Sequence, residues 1–392
     1  MIKVKDLKQY ETDMITWRRD FHMHPEKGFD EVRTSGIVAD LLESWGLEVV
    51  KNFCMTAVIG ILDTKKPGKV IGIRADMDAL SMQDQKDVSY RSINAGLCHS
   101  CGHDGHTSIL LGIAKYLSEH QEGLTGKVKF VFQPAEEGPP PGGAKLIMQN
   151  GILDDVDIMI GSHIHPSYKT GKIIVKYDEM LASGDFFDVI ITGKGGHGAY
   201  PHECNDVIST ALLVITALNN IISREIDTVK PGVLSVCNIQ AGEAKANNVI
   251  PQSISFGGTF RTLDEGVREH IIDKIDKILK NICSMNNCTY EFNNQFMFPI
   301  LRNSNEVVEI VKNVAIDTIG SDNVEVMENV DMGCEDFAYY STKIPSCYFY
   351  FGVRNEAKNC TATFHHPDFN MDEDSMIIVQ AVIINTLLKL IE

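Results

Sequence analysis

Lys127-Val128-Lys129-Phe130-Val131-Phe132 runs straight into Gln133-Pro134-Ala135-Glu136-Glu137-Gly138. The first six residues read as an apolar strand, and the next six carry a carboxylate pair off its end. Strand and helix patterns alternate on either side. Leu7 to Asp20 and Thr34 to Trp45 have helical spacing, the second stopped by Gly46. Ala57 to Leu62 and Lys69 to Arg74 read as strands, and Thr107 to His120 as a helix capped by Asp104 or Thr107. Ala144 to Asn150 is a short helix, and Asp157 to Gly161 a strand. Such alternation predicts an α/β fold, a mixed sheet flanked by helices, with binding residues where strands end. Asp76 and Asp78, Glu136 and Glu137, and His163 all sit at such ends.

Between Ser183 and Asn293 the order changes. Phe186 to Thr192, Val233 to Gln240, Ser253 to Phe260 and Thr289 to Phe292 read as strands. Asp206 to Arg224 and Glu265 to Cys283 read as helices. The β-α-β-β-α-β succession is the ferredoxin-like split βαβ arrangement. The α/β pattern then returns, with a helix over Asn305 to Ile319, a strand over Cys347 to Phe351 and a closing helix from Asp372 to Leu390. The expectation is one domain from 1–182 and 294–392, interrupted by a ferredoxin-like α+β domain at 183–293.

The chain has 392 residues, 44% of them hydrophobic, which suffices for two cores. A formal charge of -17 without a compensating basic patch argues against nucleic acid. The start lacks the apolar centre of a signal peptide, and no uninterrupted apolar stretch reaches membrane-spanning length. A cytoplasmic protein is expected, with its ten cysteines mostly reduced.

The chemistry concentrates in Cys98-His99-Ser100-Cys101-Gly102-His103-Asp104-Gly105-His106. Cys101 and His103 offer a thiolate and an imidazole at metal-site spacing. A Cys98-x-x-Cys101 redox pair, or half of a zinc knuckle completed by Cys283 and Cys288, is the plainer alternative. Neither accounts for the three histidines. His99 and His106 fit supporting or helix-face roles better than ligation. Glu136 and Glu137 could form a solvated acidic turn. In extended chain, however, they face opposite ways, which suits a division between metal ligand and general base. His163 follows a buried strand and would be presented at its tip. His365 and His366, and the glycine-rich run from Gly193 to His202, are ambiguous on their own.

Taken together, these segments resemble the binuclear metallopeptidase and aminoacylase family of hippurate hydrolases, auxin-conjugate hydrolases and N-acyl-amino-acid amidohydrolases. The resemblance covers nearly the whole chain. It includes Arg18 to His22, Pro25-Glu26 and Glu31; Arg74 to Leu80; Cys98 to His106; and Gln133 to Gly138. It continues through Gly193 to His202, Asn248 to Pro251, Gly333 to Phe337 and His365 to Phe369. It implies two divalent ions, zinc, manganese, cobalt or nickel, held by Cys101, His103, Glu137, His163 and His365. His365 is preferred to His366 because it lies two residues before the proline. Glu136 would be the general base, and Asp78 would buttress the metal site. His197 would stabilise the oxyanion, while Asn248 and Arg261 would contact the substrate's amide and carboxylate.

The resemblance also implies that 183–293 is a lid or dimerisation domain, that the substrate is an N-acyl amino acid or short peptide whose amide is hydrolysed, and that the protein assembles as a homodimer or dimer of dimers. Carboxypeptidase or N-acetyl-diamino-acid deacetylase activity on the same scaffold, and metal-dependent binding without catalysis, are the alternatives. Ser81, Val207 and Cys334 depart from the family pattern without removing a proposed ligand or base.

Overall fold

Four parallel strands form the centre of an eight-stranded sheet: Lys127–Gln133, Val70–Asp76, Ile158–Lys169 and Ser346–Arg354. The computed structural model describes residues 1–391. Three of these strands are almost wholly buried, as strands covered on both faces must be, while Ile158–Lys169 is buried through Ile164 and emerges toward its end. Glu48–Val50 and Val58–Asp63 extend one side antiparallel. Ile173–Val175, antiparallel to the central Ser346–Arg354, and Val324–Val326 close the other. Helices Lys8–Met23, Val32–Ser44, His103–Glu119, Asn305–Ile319 and Asp374–Ile391 complete the core.

Register places the chemistry. Asp76 lies opposite Gln133, and Arg74 opposite Gly161. Asp78 and Glu136 therefore leave the carboxyl edge of the parallel strands, and His163 lies two residues past the end of its strand's pairing with Val70–Asp76.

Two local expectations are corrected. The strand carrying His163 continues to Lys169, so His163 is inside a strand and not at its tip. The helix expected from Thr107 begins at His103, behind Gly102, and neither Asp104 nor Thr107 caps it. Asp104 is instead buried against Arg18 Nε at 2.8 Å and His22 Nδ1 at 2.7 Å. Thr107 donates its hydroxyl to the Asp76 carbonyl at 2.8 Å.

The chain separates into two compact units. One comprises Met1–Met180, Leu301–Val330 and the chain from Glu335 onward; the other comprises Leu181–Ile300 and Asp331–Cys334. The second unit extends beyond the expected boundary at 293 because Thr289–Phe298 pairs with Ser183–Thr192 down to Gly184. Leu301–Asn303 pairs with Asp178–Leu181, so the chain returns beside the point where it left.

The second unit has an antiparallel sheet in the order Gly232–Ala241, Ser253–Thr262, Ser183–Thr192, Thr289–Phe298. Phe187, Val189 and Ile191 alternate onto one face. There they pack with Ala211, Val214 and Leu218 of one helix and Ile271, Ile275 and Leu279 of the other. Asp206 and Asp264 cap those helices by accepting backbone N–H bonds.

Contrary to the composition reading, Val207–Glu225 and Asp374–Ile391 do reach spanning length and hydropathy. Both bury an apolar face inside their own unit, which accounts for that composition. All ten cysteines are free, Cys98 and Cys101 included. Cys283 and Cys288 belong to the second unit's core, which removes the knuckle alternative.

Candidate metal centre

A left-handed glycine aims the Cys101 loop. Gly102 has φ +88°, and a β-carbon there would lie 2.1 Å from Ile164 Cδ1, so both backbone and space require glycine. The turn brings Cys101 Sγ to 3.5 Å from His163 Nε2 and starts the helix that carries His103. Asp78 ties two segments together. Its Oδ1 lies 3.1 Å from His103 Nδ1, and its Oδ2 accepts the Glu137 N–H at 2.9 Å.

His365 is held at φ +55°, an uncommon conformation for a non-glycine residue, and its N–H donates to the Ser100 carbonyl at 3.0 Å. Its Nε2 is 3.0 Å from Glu137 Oε1. His366 is half-exposed and accepts the Asp368 N–H instead.

Candidate ligand atoms fall in overlapping groups. Those of Cys101, Glu137 and His365 lie within 4.8 Å of one another, as do those of His103, Glu136 and Glu137. Those of Asp76, His103, His106 and His163 form a third such group. His103 Nε2 is buried without a hydrogen-bond partner, 3.7 Å from Asp76 Oδ2 and 4.0 Å from Glu136 Oε2. An orphaned buried nitrogen facing carboxylates is what a divalent transition ion would satisfy, and the donor types gathered around it fit one.

The electrostatics agree. Burial and the Glu137 and Glu136 carboxylates push the Cys101 thiol well above its ordinary range. Burial works to lower His103, but Asp76 and Asp78 outweigh it and raise its pKa to about 10. Burial and neighbouring His106 hold His163 well below the usual imidazole range, so it is neutral. Burial, followed by Glu335, Glu137 and Asp336, pushes Glu136 well above the carboxylate range. The pocket gathers more carboxylates than the Arg74 guanidinium beneath it can pair.

The residues that sequence reasoning missed lie beneath this layer. Arg74 donates to Asp76 Oδ2 at 2.7 Å, Glu335 Oε1 at 2.8 Å, Asp336 Oδ1 at 2.9 Å and Gln133 Oε1 at 2.9 Å. Tyr348 donates to Glu335 and Tyr340 to Gln133. One buried guanidinium thus anchors three carboxylates. The signal was the bare motif Gly333 to Phe337, which carried no assigned role.

Glu31 is also buried, accepting from Thr56 Oγ1 at 2.5 Å and the Ala135 N–H at 2.9 Å. Burial, with Asp78 nearby, raises its pKa from an ordinary 4.5 to about 7. The folded state then holds this proton where the unfolded chain has released it, so stability falls as pH climbs between those values and is level above. Glu31→Gln should flatten that slope and raise stability at pH 8 by roughly 1–3 kcal/mol. Urea denaturation of both proteins at pH 5 and pH 8 checks this. Equal pH slopes would contradict it.

His197, Asn248 and Arg261 belong to the second unit. His197 pairs across a short ladder with Val249, and the Asn248 carbonyl accepts the Gly198 N–H at 2.8 Å. His197 Nδ1 accepts the Ala199 N–H at 3.0 Å, leaving Nε2 outside that turn. Arg261 directs Nη1 at Cys334 Sγ.

Residues 72–389 match Peptidase family M20/M25/M40. The chain is 38% identical over 373 residues to a thermostable carboxypeptidase of Saccharolobus solfataricus, covering 94% of this chain and 93% of the relative. It is 42% identical over 284 residues to an N-acyl-L-amino acid amidohydrolase of Geobacillus stearothermophilus, covering 72% and 76%. A solved dinuclear metal-binding peptidase from Bacillus subtilis superposes with a TM-score of 0.82 at 30% identity, covering 98% of this chain and 99% of that one.

Proposed function

The chain belongs to peptidase family M20/M25/M40 and is a hydrolase of that family, and from that premise we propose that it cleaves the amide bond of N-acyl amino acids. The products are a carboxylate and a free amino acid. One observation carries the reading: the candidate ligand atoms of Cys101, His103, Glu137, His163 and His365 fall in overlapping groups around Glu136, with His103 and His163 buried and His365 at the exposed rim. In this reading the five hold two divalent ions, zinc, manganese, cobalt or nickel. When bound, the ions supply the positive charge that acidifies a water and polarises the scissile carbonyl.

The protein's own groups do the rest. Glu136 accepts the proton of the attacking water and returns it to the leaving nitrogen. Burial, then Glu335, makes this carboxyl a stronger proton acceptor than an ordinary glutamate, the direction a general base requires. His197 stabilises the oxyanion, Asn248 holds the amide, and Arg261 takes the amino acid's carboxylate through its paired N–H groups. The same reading has a cytoplasmic enzyme, its thiols reduced, working as a homodimer or dimer of dimers on small molecules.

Asp78 accepts from His103 Nδ1, so an ion that displaces the other ring proton would be met by Nε2. Asp78→Asn cannot accept from both His103 and the Glu137 N–H. It should weaken metal binding about 10–100-fold. Calorimetric titration of metal-free protein measures this, and wild-type affinity would end the buttress role.

Substrate class is tested by loading the enzyme with each ion and assaying N-acetyl amino acids, hippurate and dipeptides. Turnover of the acyl amino acids is expected. Turnover of dipeptides alone would favour the carboxypeptidase reading, to which the Saccharolobus relative lends support.

A further inference from the structure

The strand that carries His163 outruns its neighbour. Its pairing with Val70–Asp76 ends at Gly161 opposite Arg74, so the N–H of Ile164 has no strand to meet on that side. His106 takes the strand's place: Ile164 N–H donates to His106 Nε2 at 3.0 Å. A backbone N–H can only donate, so Nε2 is bare and the His106 proton sits on Nδ1. That proton goes to Asp76 Oδ1 at 2.6 Å, while Asp76 Oδ2 is pinned by Arg74 at 2.7 Å.

The next link is His163 itself. Its Nδ1 donates to the Ile164 carbonyl at 2.7 Å, leaving the Nε2 lone pair to face Cys101. The rings of His106 and His163 pack edge-on with centroids 4.5 Å apart. Every member of the chain from Arg74 through Asp76 and His106 to Ile164 is buried.

We propose that Asp76 and His106 are a positioning pair that fixes the backbone at Ile164, and through it sets the direction of His163 toward one of the two ions. The proposal rests on the metal-centre reading above. His106 touches neither substrate nor ion in this account. It substitutes for the missing strand beside His163.

Three variants test it, each measured as metal-free full-length protein titrated with Mn²⁺, with bound ions counted by elemental analysis. Wild type should take two ions. His106→Phe keeps the ring's volume but offers no acceptor, so affinity for one ion should fall about 10–100-fold while the other is unchanged. His106→Gln should recover part of the loss, because its amide oxygen can accept the Ile164 N–H. Asp76→Asn should resemble His106→Phe. With its oxygen held by Arg74, its NH₂ turns to His106 and forces the imidazole proton onto Nε2, against Ile164.

Wild-type affinity for both ions in His106→Phe would overturn the proposal. So would equal weakening at both ions, with a lowered metal-free melting temperature that glutamine does not rescue, since that pattern marks a merely structural residue. A wild-type chain that takes up only one ion would remove the metal-centre premise and the proposal with it, a result distinct from either.

Discussion

Glu136→Gln should lower kcat by about two to four orders of magnitude while the protein keeps its metal. Glutamine matches glutamate in size but cannot accept and return a proton. Folding should not suffer, because Glu136 is crowded by Glu335 and Asp336, whose candidate ligand atoms lie within 4.8 Å of its own. Removing one of three neighbouring buried carboxyls relieves crowding of like groups and leaves every Arg74 partner in place. Turnover and metal content must be read on the same sample. Near-normal turnover with full metal would reassign the base; lost metal would make Glu136 a ligand.

The second large effect is expected at Cys101. Its Sγ is 3.5 Å from His163 Nε2 and also lies within the group formed with Glu137 and His365. One atom therefore borders both sets of ligands. Cys101→Ala should reduce the number of bound ions and abolish most activity. It should also shrink the rise in Tm that metal produces. A ligand at a hundredfold excess over its Kd stabilises a protein by about 2.7 kcal/mol, so the lost rise is measurable. Because burial and nearby carboxylates keep this thiol protonated without metal, ion uptake should release protons and tighten as pH rises. An unchanged ion count with an unchanged Tm response would exclude Cys101 from the centre.

The order of elements was legible because most strands and helices here obey the period of their own residues. Asn305–Ile319 was read to the residue. The readings that failed did so where tertiary contacts overrode local signals. Asp104 has the chemistry of a cap, but the buried Arg18 and His22 claim it. Asp157 to Gly161 looked like a short strand because Ser162 and His163 are polar, yet parallel pairing with Ser346–Arg354 carries the ladder on past them.

Within the site, the spacing of Cys101 and His103 and the Glu136–Glu137 pair announced themselves. The layer beneath did not. Arg74 and Glu335 are 261 residues apart, and nothing local to either says that they meet. His106 was visible as a histidine on a helix, but its task follows only from where a neighbouring strand stops.

The adjacency of Asp178–Leu181 and Leu301–Asn303 has a practical consequence. Because the excursion from Leu181 to Ile300 begins and ends at one hydrogen-bonded ladder, excising it requires only a short splice between neighbouring chain ends. Such a miniaturised protein would retain the five proposed donors while lacking His197, Asn248 and Arg261. Ion capture could then be dissected from substrate handling on a shortened polypeptide.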